Sequence, residues 1–88
     1  MKLYKEIEKT FAAIEASFSK EELLIFRDTP ISDLYLYHFS LGVWIRNNLL
    51  QQKESILYGL FHENHIEHPD DMSYVIIMLF HRYITYKV

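Results

Sequence analysis

The sequence predicts an all-α protein, folded as a compact bundle of about five helices in a single domain over residues 1–88. Apolar residues recur at spacings of three and four along much of the chain, which is the period of an amphipathic helix. Gly and Pro occur only twice each, too rarely for the regular turns of a β-sandwich or barrel. The residues are 50% hydrophobic and 16% aromatic, so a chain of this length can form one modest core.

The first two predicted helices follow one another closely. A stripe of apolar residues predicts the first helix over residues 2–18; it consists of Leu3, Ile7, Phe11, Ile14 and Phe18. Ser19, with Glu22 three residues later, is a capping-box pattern that starts the second helix at Lys20. We expect that helix to end near Arg27, because the residue before Pro30 avoids the α region. Its predicted core residues are Leu23, Leu24 and Phe26.

The third predicted helix covers the stretch YLYHFSLGVWI and is apolar on nearly every side. Ser32 or Asp33 can cap its start. The same stretch has the composition of a β-strand, but its length and the lack of a period of two favour a central, largely buried helix. Gly42 costs up to about 1 kcal/mol relative to Ala inside a helix, which indicates that another helix passes close to it. Asn47 and Asn48 mark the predicted exit.

The last two helices are predicted over residues 52–63 and from residue 69 onwards. Asn64 and His65 form the turn between them, because Asn tolerates the left-handed conformation. Pro69 suits the first position of a helix, and Asp70 and Asp71 then lie where the helix dipole favours negative charge. The apolar stripe of the last helix is the clearest in the chain: Met72, Val75, Ile76, Leu79, Phe80, Tyr83 and Ile84.

Charge and composition exclude several classes of function. The net charge is −3 without a basic cluster, so we expect no nucleic-acid partner. The chain has no Cys, which excludes disulfides and thiolate chemistry and fits a reducing compartment. The charged N-terminus is unlike a secretion signal, and no apolar run approaches the ~20 residues that span a bilayer. We therefore expect a cytoplasmic protein with no cofactor and no membrane partner.

Two motifs resemble a family of small, uncharacterised bacterial domains. They are HFSLGVWIRNN, from His38 to Asn48, and HPDDMS, which begins at His68. The family pattern that they match is LG-x-WIRNN followed by HPDDMS, and the resemblance extends from Leu34 to Tyr83. The chain departs from the family pattern after the Asn pair, where Leu-Leu-Gln-Gln replaces Trp and Gly residues, and before the HPDD turn, where a Gly is typical. The resemblance implies no biochemical activity.

The resemblance does imply that several polar residues form one constellation. With the neighbouring Trp44, they are our candidate binding residues: Trp44, Arg46, Asn47, Asn48, His68, Asp70 and Asp71. A guanidinium can bind a carboxylate through two parallel hydrogen bonds. Arg46 with Asp70 and Asp71 is therefore either a bridge between the third and fifth helices, which we favour, or a polar pocket for an anionic or amide-bearing ligand. For the Asn pair, capping of the helix end is favoured over contacts with a partner.

Catalytic and metal-binding patterns are weak. His62, His65 and His68 recur every three residues, but a turn and a new helix separate them, so we expect no metal site. Ser40 and Ser73 are nucleophiles in type only, because neither lies in a G-x-S-x-G elbow. An enzyme is therefore less favoured than a binding protein.

The seven tyrosines and the acidic balance predict a protein-binding function. Tyr and Trp anchor interfaces well, and negative charge favours a basic partner. We expect a small protein-binding module that acts by occluding its partner, for example a bacterial immunity or inhibitor protein. The alternative is a ligand-binding or catalytic domain with its polar site where the third helix ends and the fifth begins. A homodimer that covers the exposed aromatic residues is a third alternative.

Overall fold

Every regular element is a helix in the computed structural model, which describes residues 2–51 and 55–87. The α-helices are α1 (Lys2–Glu8), α2 (Phe11–Ala16), α3 (Lys20–Asp28), α4 (Leu41–Leu49), α5 (Ile56–Glu63) and α6 (Pro69–Lys87), and a 3₁₀ helix (Ile31–Tyr37) lies between α3 and α4. These residues contain no β-strand, so the predicted all-α class is confirmed. Within these two ranges the number of α-helices is six instead of about five.

The last helix, α6, is the element around which the others pack. It contacts α3, the 3₁₀ helix and, most extensively, α4, whereas α1 packs against α5. Its buried residues lie at helical spacings and include two polar side chains: Met72, Ser73, Ile76, Ile77, Phe80, His81 and Ile84. The start of this helix at Pro69 agrees with the sequence prediction, and so does the burial of four residues of its predicted stripe: Met72, Ile76, Phe80 and Ile84. The rest of the core face differs, because Val75, Leu79 and Tyr83 are only partly buried, whereas Ser73, Ile77 and His81 are buried without having been predicted.

The predicted first helix is divided at Lys9 and Thr10. The N–H of Thr10 donates to the carbonyl of Ile7 at 2.9 Å, which is a tighter turn than that of an α-helix. The Thr10 hydroxyl donates to the same carbonyl at 2.6 Å. A Thr side chain that competes for a backbone carbonyl in this way disturbs a helix locally. The apolar stripe still faces the core on both sides of the break.

The capping box before α3 is present as predicted. The Ser19 hydroxyl accepts from the Glu22 N–H at 3.1 Å, and the Glu22 carboxylate accepts from the Ser19 N–H at 2.8 Å. The predicted burial holds for Phe26, which is 0% exposed, but it is wrong for Leu24, which is 40% exposed. The four consecutive apolar residues from Leu23 to Phe26 cannot all face the core from one short helix, because successive side chains point about 100° apart.

The prediction of one largely buried third helix is wrong. The 3₁₀ helix ends at Tyr37, and α4 begins at Leu41 after a turn in which the Ser40 N–H donates to the Tyr37 carbonyl at 3.2 Å. Phe39 in this turn is 85% exposed, and Leu36 is 63% exposed. The run was apolar on all sides, so its sequence did not indicate which side faces the core.

Both ends of this segment also differ from the prediction. The 3₁₀ helix begins directly after Pro30 and has no side-chain cap, so neither Ser32 nor Asp33 caps it. At the other end α4 continues through the Asn pair to Leu49. The start of the predicted fourth helix, residues 52–54, lies outside the described residues. Its remainder forms α5, where the Ser55 hydroxyl accepts from the Tyr58 N–H.

The core is centred on an aromatic cluster. The ring of Phe26 lies 4.9 Å from that of Tyr37, 5.3 Å from His81 and 5.5 Å from Phe80. His81 is buried, and its Nε2 lies 3.1 Å from the carbonyl oxygen of Arg27. Because a carbonyl oxygen only accepts, that nitrogen carries the proton of the hydrogen bond. These contacts hold α3 and α6 together.

Candidate functional site

The guanidinium of Arg46 joins three segments where α4 meets α6. Its Nη1 donates to the hydroxyl of Ser73 at 2.9 Å, and its Nη2 donates to the carbonyl of His38 at 3.1 Å. Its Nε lies 3.6 Å from Oδ1 of Asp70. The side chain of Arg46 is only 18% exposed, so its hydrogen bonds to Ser73 and His38 are largely shielded from water, whereas the side chain of Asp70 is 49% exposed. Arg46 thus ties the turn before α4 to the first turns of α6.

Gly42 makes room for this guanidinium. Side chains on a helix lean towards its N-terminus, so that of Arg46 passes over the residue four positions earlier. A Cβ at Gly42 would lie 2.9 Å from Nη1 of Arg46 and 3.4 Å from the carbonyl oxygen of Tyr37. The close neighbour predicted at Gly42 therefore exists, but it is the side chain of Arg46 and not another helix.

His68 and Asp70 form the start of α6. The Nδ1 of His68 accepts from the N–H of Asp70 at 3.1 Å, so it satisfies one of the free donors at the helix start. The same Nδ1 lies 3.8 Å from Oδ2 of Asp70. Asp71 is exposed, and its N–H donates to the His68 carbonyl at 3.0 Å. Of the two predicted carboxylate partners, Asp70 faces Arg46.

The hydroxyl of Ser73 both donates and accepts a hydrogen bond within the chain. It donates to the carbonyl of Asp70 at 3.0 Å while it accepts from Arg46, and the residue is only 1% exposed. Its proton is therefore directed at a backbone carbonyl and not at a base, and a substrate has no direct approach to it. This arrangement favours the structural role of Arg46 and Asp70, a bridge between two helices.

The other predicted residues lie elsewhere. The amide of Asn48 donates to the carbonyl of Trp44 at 2.8 Å, which is the local backbone contact favoured for Asn near a helix end. Asn47 is exposed. Trp44 precedes Arg46 by two positions and therefore points to a different side of α4. The predicted constellation is thus divided into a polar junction (Arg46, His68, Asp70), the exposed end of α4 and the side of α4 that carries Trp44.

Trp44 lines an apolar groove, which the sequence analysis missed. The groove has a volume of about 510 Å³ and lies between the start of α3 and the start of α4. Its apolar walls are Phe18, Ile25, Tyr37, Leu41 and Trp44, and its polar rim is Ser17, Glu22 and Ser40. The apolar excess of the stretch around Trp44 was the only signal of this surface in the sequence, and it was interpreted as burial.

Exposed apolar side chains concentrate on the elements that border the groove. Among the described residues, seven large apolar side chains are more than half exposed, and five of them lie between residues 25 and 39. These five are Ile25, Ile31, Tyr35, Leu36 and Phe39. An isolated exposed apolar residue is ordinary, whereas neighbouring ones favour an interaction site. Of these five, Ile25 lines the groove, and the other four belong to the 3₁₀ helix or to the turn that follows it.

A second concave surface lies beside the C-terminal turns of α6. It has a volume of about 650 Å³, and its lining includes Tyr83, Arg82 and Lys87. The Lys87 ammonium lies 2.8 Å from Oε1 of Glu15 and 5.3 Å from the ring centre of Tyr83. Its hydrogen bond to Glu15 raises the pKa of Lys87 above the ordinary value. Lys87 is therefore already paired within the chain, whereas Arg82 lies over the ring of Tyr86, 5.8 Å from its centre.

The predicted histidine series does not assemble into a site. His62 packs against Tyr58 with ring centres 4.5 Å apart and ring planes tilted by 34°, whereas His65 adopts a left-handed conformation with φ of 64° in the turn after α5. The left-handed residue of that turn is thus His65 and not Asn64. Within residues 2–51 and 55–87, no group of three or more His, Asp or Glu side chains is placed to hold a metal ion. Over the same ranges, no helix has the length and apolar character needed to cross a membrane.

The fold and these surfaces define a small all-α domain with an internally paired polar junction and an exposed apolar groove. The chain belongs to the family described as Domain of unknown function (DUF6794), whose match covers residues 5–84. Comparison with curated proteins and with solved structures gave no significant match. The family match includes the whole stretch from Leu34 to Tyr83 on which the sequence resemblance rested.

Proposed function

We propose that this chain is a small protein-binding module whose docking surface is the groove bordered by α3 and α4. The observation that carries the proposal is the concentration of exposed apolar side chains on the elements around the groove. Burial of such side chains against a partner contributes roughly 25 cal/mol per Å² of apolar area removed from water. The rest of the chain does not cover these side chains, so their apolar area is available for burial against a partner.

The groove has the shape that an anchoring side chain needs. Interface energy concentrates in a few large side chains that enter well-packed pockets. Except for Phe18, which lies in the turn before α3, the walls of this groove come from packed helices, and Tyr37 and Leu41 connect it directly to the core. A partner's side chain would therefore meet a largely preformed site. Phe39, which directly precedes the rim residue Ser40 in the chain and is exposed, is suited to the reverse role of an anchor in the partner.

Occlusion of a partner is the mode of action that we propose for this surface. A bacterial immunity or inhibitor protein is one concrete form, because it needs neither a cofactor nor catalytic groups. The net charge of −3 favours a basic partner through electrostatic complementarity. A cytoplasmic location is part of the same proposal.

Site-specific photocrosslinking in the native host tests this function. We would replace Phe39 with a photoreactive phenylalanine, and Tyr86 in a matched control, because Tyr86 is 80% exposed on α6. We expect one protein to crosslink from position 39 and not from position 86. The purified partner should then bind the chain, and Ile25→Ser should weaken that binding at least tenfold. Identical products from both positions, or none from position 39, would contradict the proposal; a crosslinked second copy would indicate a homodimer instead.

The polar junction supports a ligand site less well. The guanidinium of Arg46 already contacts Ser73, His38 and Asp70, so an anionic ligand would have to displace contacts within the protein. A thermal-shift screen with nucleotides, small anions and metal ions tests this alternative, because a ligand that binds the folded state raises the midpoint. A shift that disappears in Asp70→Asn would support a ligand site at the junction.

A further inference from the structure

We propose that the groove binds one face of an amphipathic helix that carries Lys or Arg beside its apolar residues. This inference rests on the proposed function and specifies the chemistry of the partner. It is motivated by the charges around Ile25, the most exposed apolar residue of α3 and a wall of the groove.

Acidic side chains surround Ile25 on α3. Glu21 and Glu22 precede it by four and three positions and Asp28 follows it by three, so all three lie on its side of the helix. Lys20 lies five positions before Ile25, which places it about 140° away around the helix. The exposed apolar centre of this helix is therefore bordered by carboxylates.

Not all of these carboxylates are equally available. The Nε of Arg27 lies 3.0 Å from Oδ1 of Asp28 and offsets its charge. Glu21 is exposed, and Glu22 lines the groove. The hydrogen bonds from Ser19 hold the pKa of Glu22 below its ordinary value, so this carboxylate is ionised at neutral pH. Glu21 and Glu22 thus provide the net negative edge that a basic partner would meet.

A helix fits this groove better than an extended segment. An extended peptide that binds by β-augmentation adds a strand to a sheet edge, and residues 2–51 and 55–87 contain no strand. On the apolar walls of the groove, its backbone N–H and C=O groups would lose water without finding partners. A helix pairs these groups internally and presents apolar side chains at spacings of three and four, which suits a groove of about 510 Å³.

The same charges disfavour a second copy of this chain in the groove. A symmetric dimer formed through this surface would place the Glu21 and Glu22 carboxylates of both copies in one interface. Like charges facing each other across an interface oppose association. A partner of opposite charge removes this penalty, so we assign the groove to a basic partner.

Two synthetic peptides test the inference. Both are amphipathic helices with Leu at positions i, i+3, i+4 and i+7; one has Lys on the flanks of the Leu stripe and the other has Glu. Fluorescence anisotropy with the full chain should show saturable binding of the Lys peptide and at least tenfold weaker binding of the Glu peptide. Binding of the Lys peptide should weaken with salt, because exposed charges are screened.

Matched variants separate this site from a general charge effect. The double substitution Glu21→Gln with Glu22→Gln should lower the affinity for the Lys peptide at least threefold. Gln at position 22 can still form the capping box, so the start of α3 is retained. The control is Glu63→Gln with Glu67→Gln, which makes the same change of charge at two exposed positions that do not line the groove. We expect the control to bind as the unchanged chain does, and Ile25→Ser to bind at least tenfold more weakly.

The outcomes distinguish this inference from the proposed function. Equal weakening by both charge pairs, equal binding of both peptides or no saturable binding of the Lys peptide would each overturn the inference. If position 39 still crosslinks to a protein partner in any of these cases, the proposed function stands and only the chemistry of the partner is wrong. If neither experiment shows binding, both proposals fail.

Discussion

The guanidinium of Arg46 occupies the space that a side chain at Gly42 would need. A Cβ at position 42 would lie 2.9 Å from Nη1 of Arg46, closer than real Cβ atoms come to other heavy atoms. The guanidinium cannot move aside without cost, because Ser73 and the His38 carbonyl hold it. The two residues are therefore energetically coupled.

The first prediction is that Gly42→Ala lowers the free energy of unfolding when Arg46 is present and raises it when Arg46 is replaced by Ala. In the unchanged chain we expect the free energy of unfolding to fall by about 1 kcal/mol, because the cost of displacing the Arg46 guanidinium exceeds the gain in helix propensity from Ala. In Arg46→Ala the same substitution should stabilise by about 0.5–1 kcal/mol, since the propensity gain remains. Urea denaturation of the four chains measures this coupling. Equal effects in both backgrounds would show that the guanidinium does not fill this space.

The second prediction is that Lys does not replace Arg at position 46. An ammonium group lacks the planar fork that contacts Ser73, His38 and Asp70 from one side chain. We expect Arg46→Lys to lose about 1–2 kcal/mol and Arg46→Ala to lose about 2–3 kcal/mol of the free energy of unfolding. Chemical denaturation at neutral pH is the measurement. Full stability of the Lys variant would mean that positive charge alone suffices.

The third prediction concerns the pH dependence contributed by Glu22. Its pKa is lowered in the folded chain by the hydrogen bonds from Ser19, from an ordinary value of 4.5. Its contribution to stability is therefore fully present above pH 4.5 and is lost as pH falls through the lower folded value. Glu22→Gln should remove this dependence, so the stability difference between it and the unchanged chain should shrink below pH 4.5. Glu21→Gln is the control, and an equal change in that variant would argue against a specific role of the cap.

The fourth prediction contrasts two phenylalanines. Phe39 is 85% exposed and Phe80 is 0% exposed. We expect Phe39→Ser to change the free energy of unfolding by no more than about 0.5 kcal/mol, whereas Phe80→Ala should cost about 3–5 kcal/mol. Thermal and urea unfolding would measure both. A large loss for Phe39→Ser would mean that Phe39 supports the fold, and would remove it as an anchor for a partner.

The candidate site was only partly predictable. The sequence pointed to the junction of Arg46 with Asp70, and the structure brings these two residues together. That Ser73 is the hydrogen-bond partner of Arg46 was not evident from the sequence, because Ser is common at the surface and its burial here depends on the packing of α4 against α6. The groove beside Trp44 was missed for the opposite reason, since its apolar residues looked like core.

The sequence by itself determined the helical class, the Ser19–Glu22 cap, the start of α6 and four of its buried positions, which are Met72, Ile76, Phe80 and Ile84. Each depends on residues three or four positions apart, so local physics is sufficient. Tertiary structure alone decided that α6 is the central helix, that the run from the 3₁₀ helix to α4 is partly exposed, and that Arg46 binds Ser73, 27 positions away. These features depend on which faces meet across the bundle, and a stretch that is apolar on all sides does not specify its own orientation.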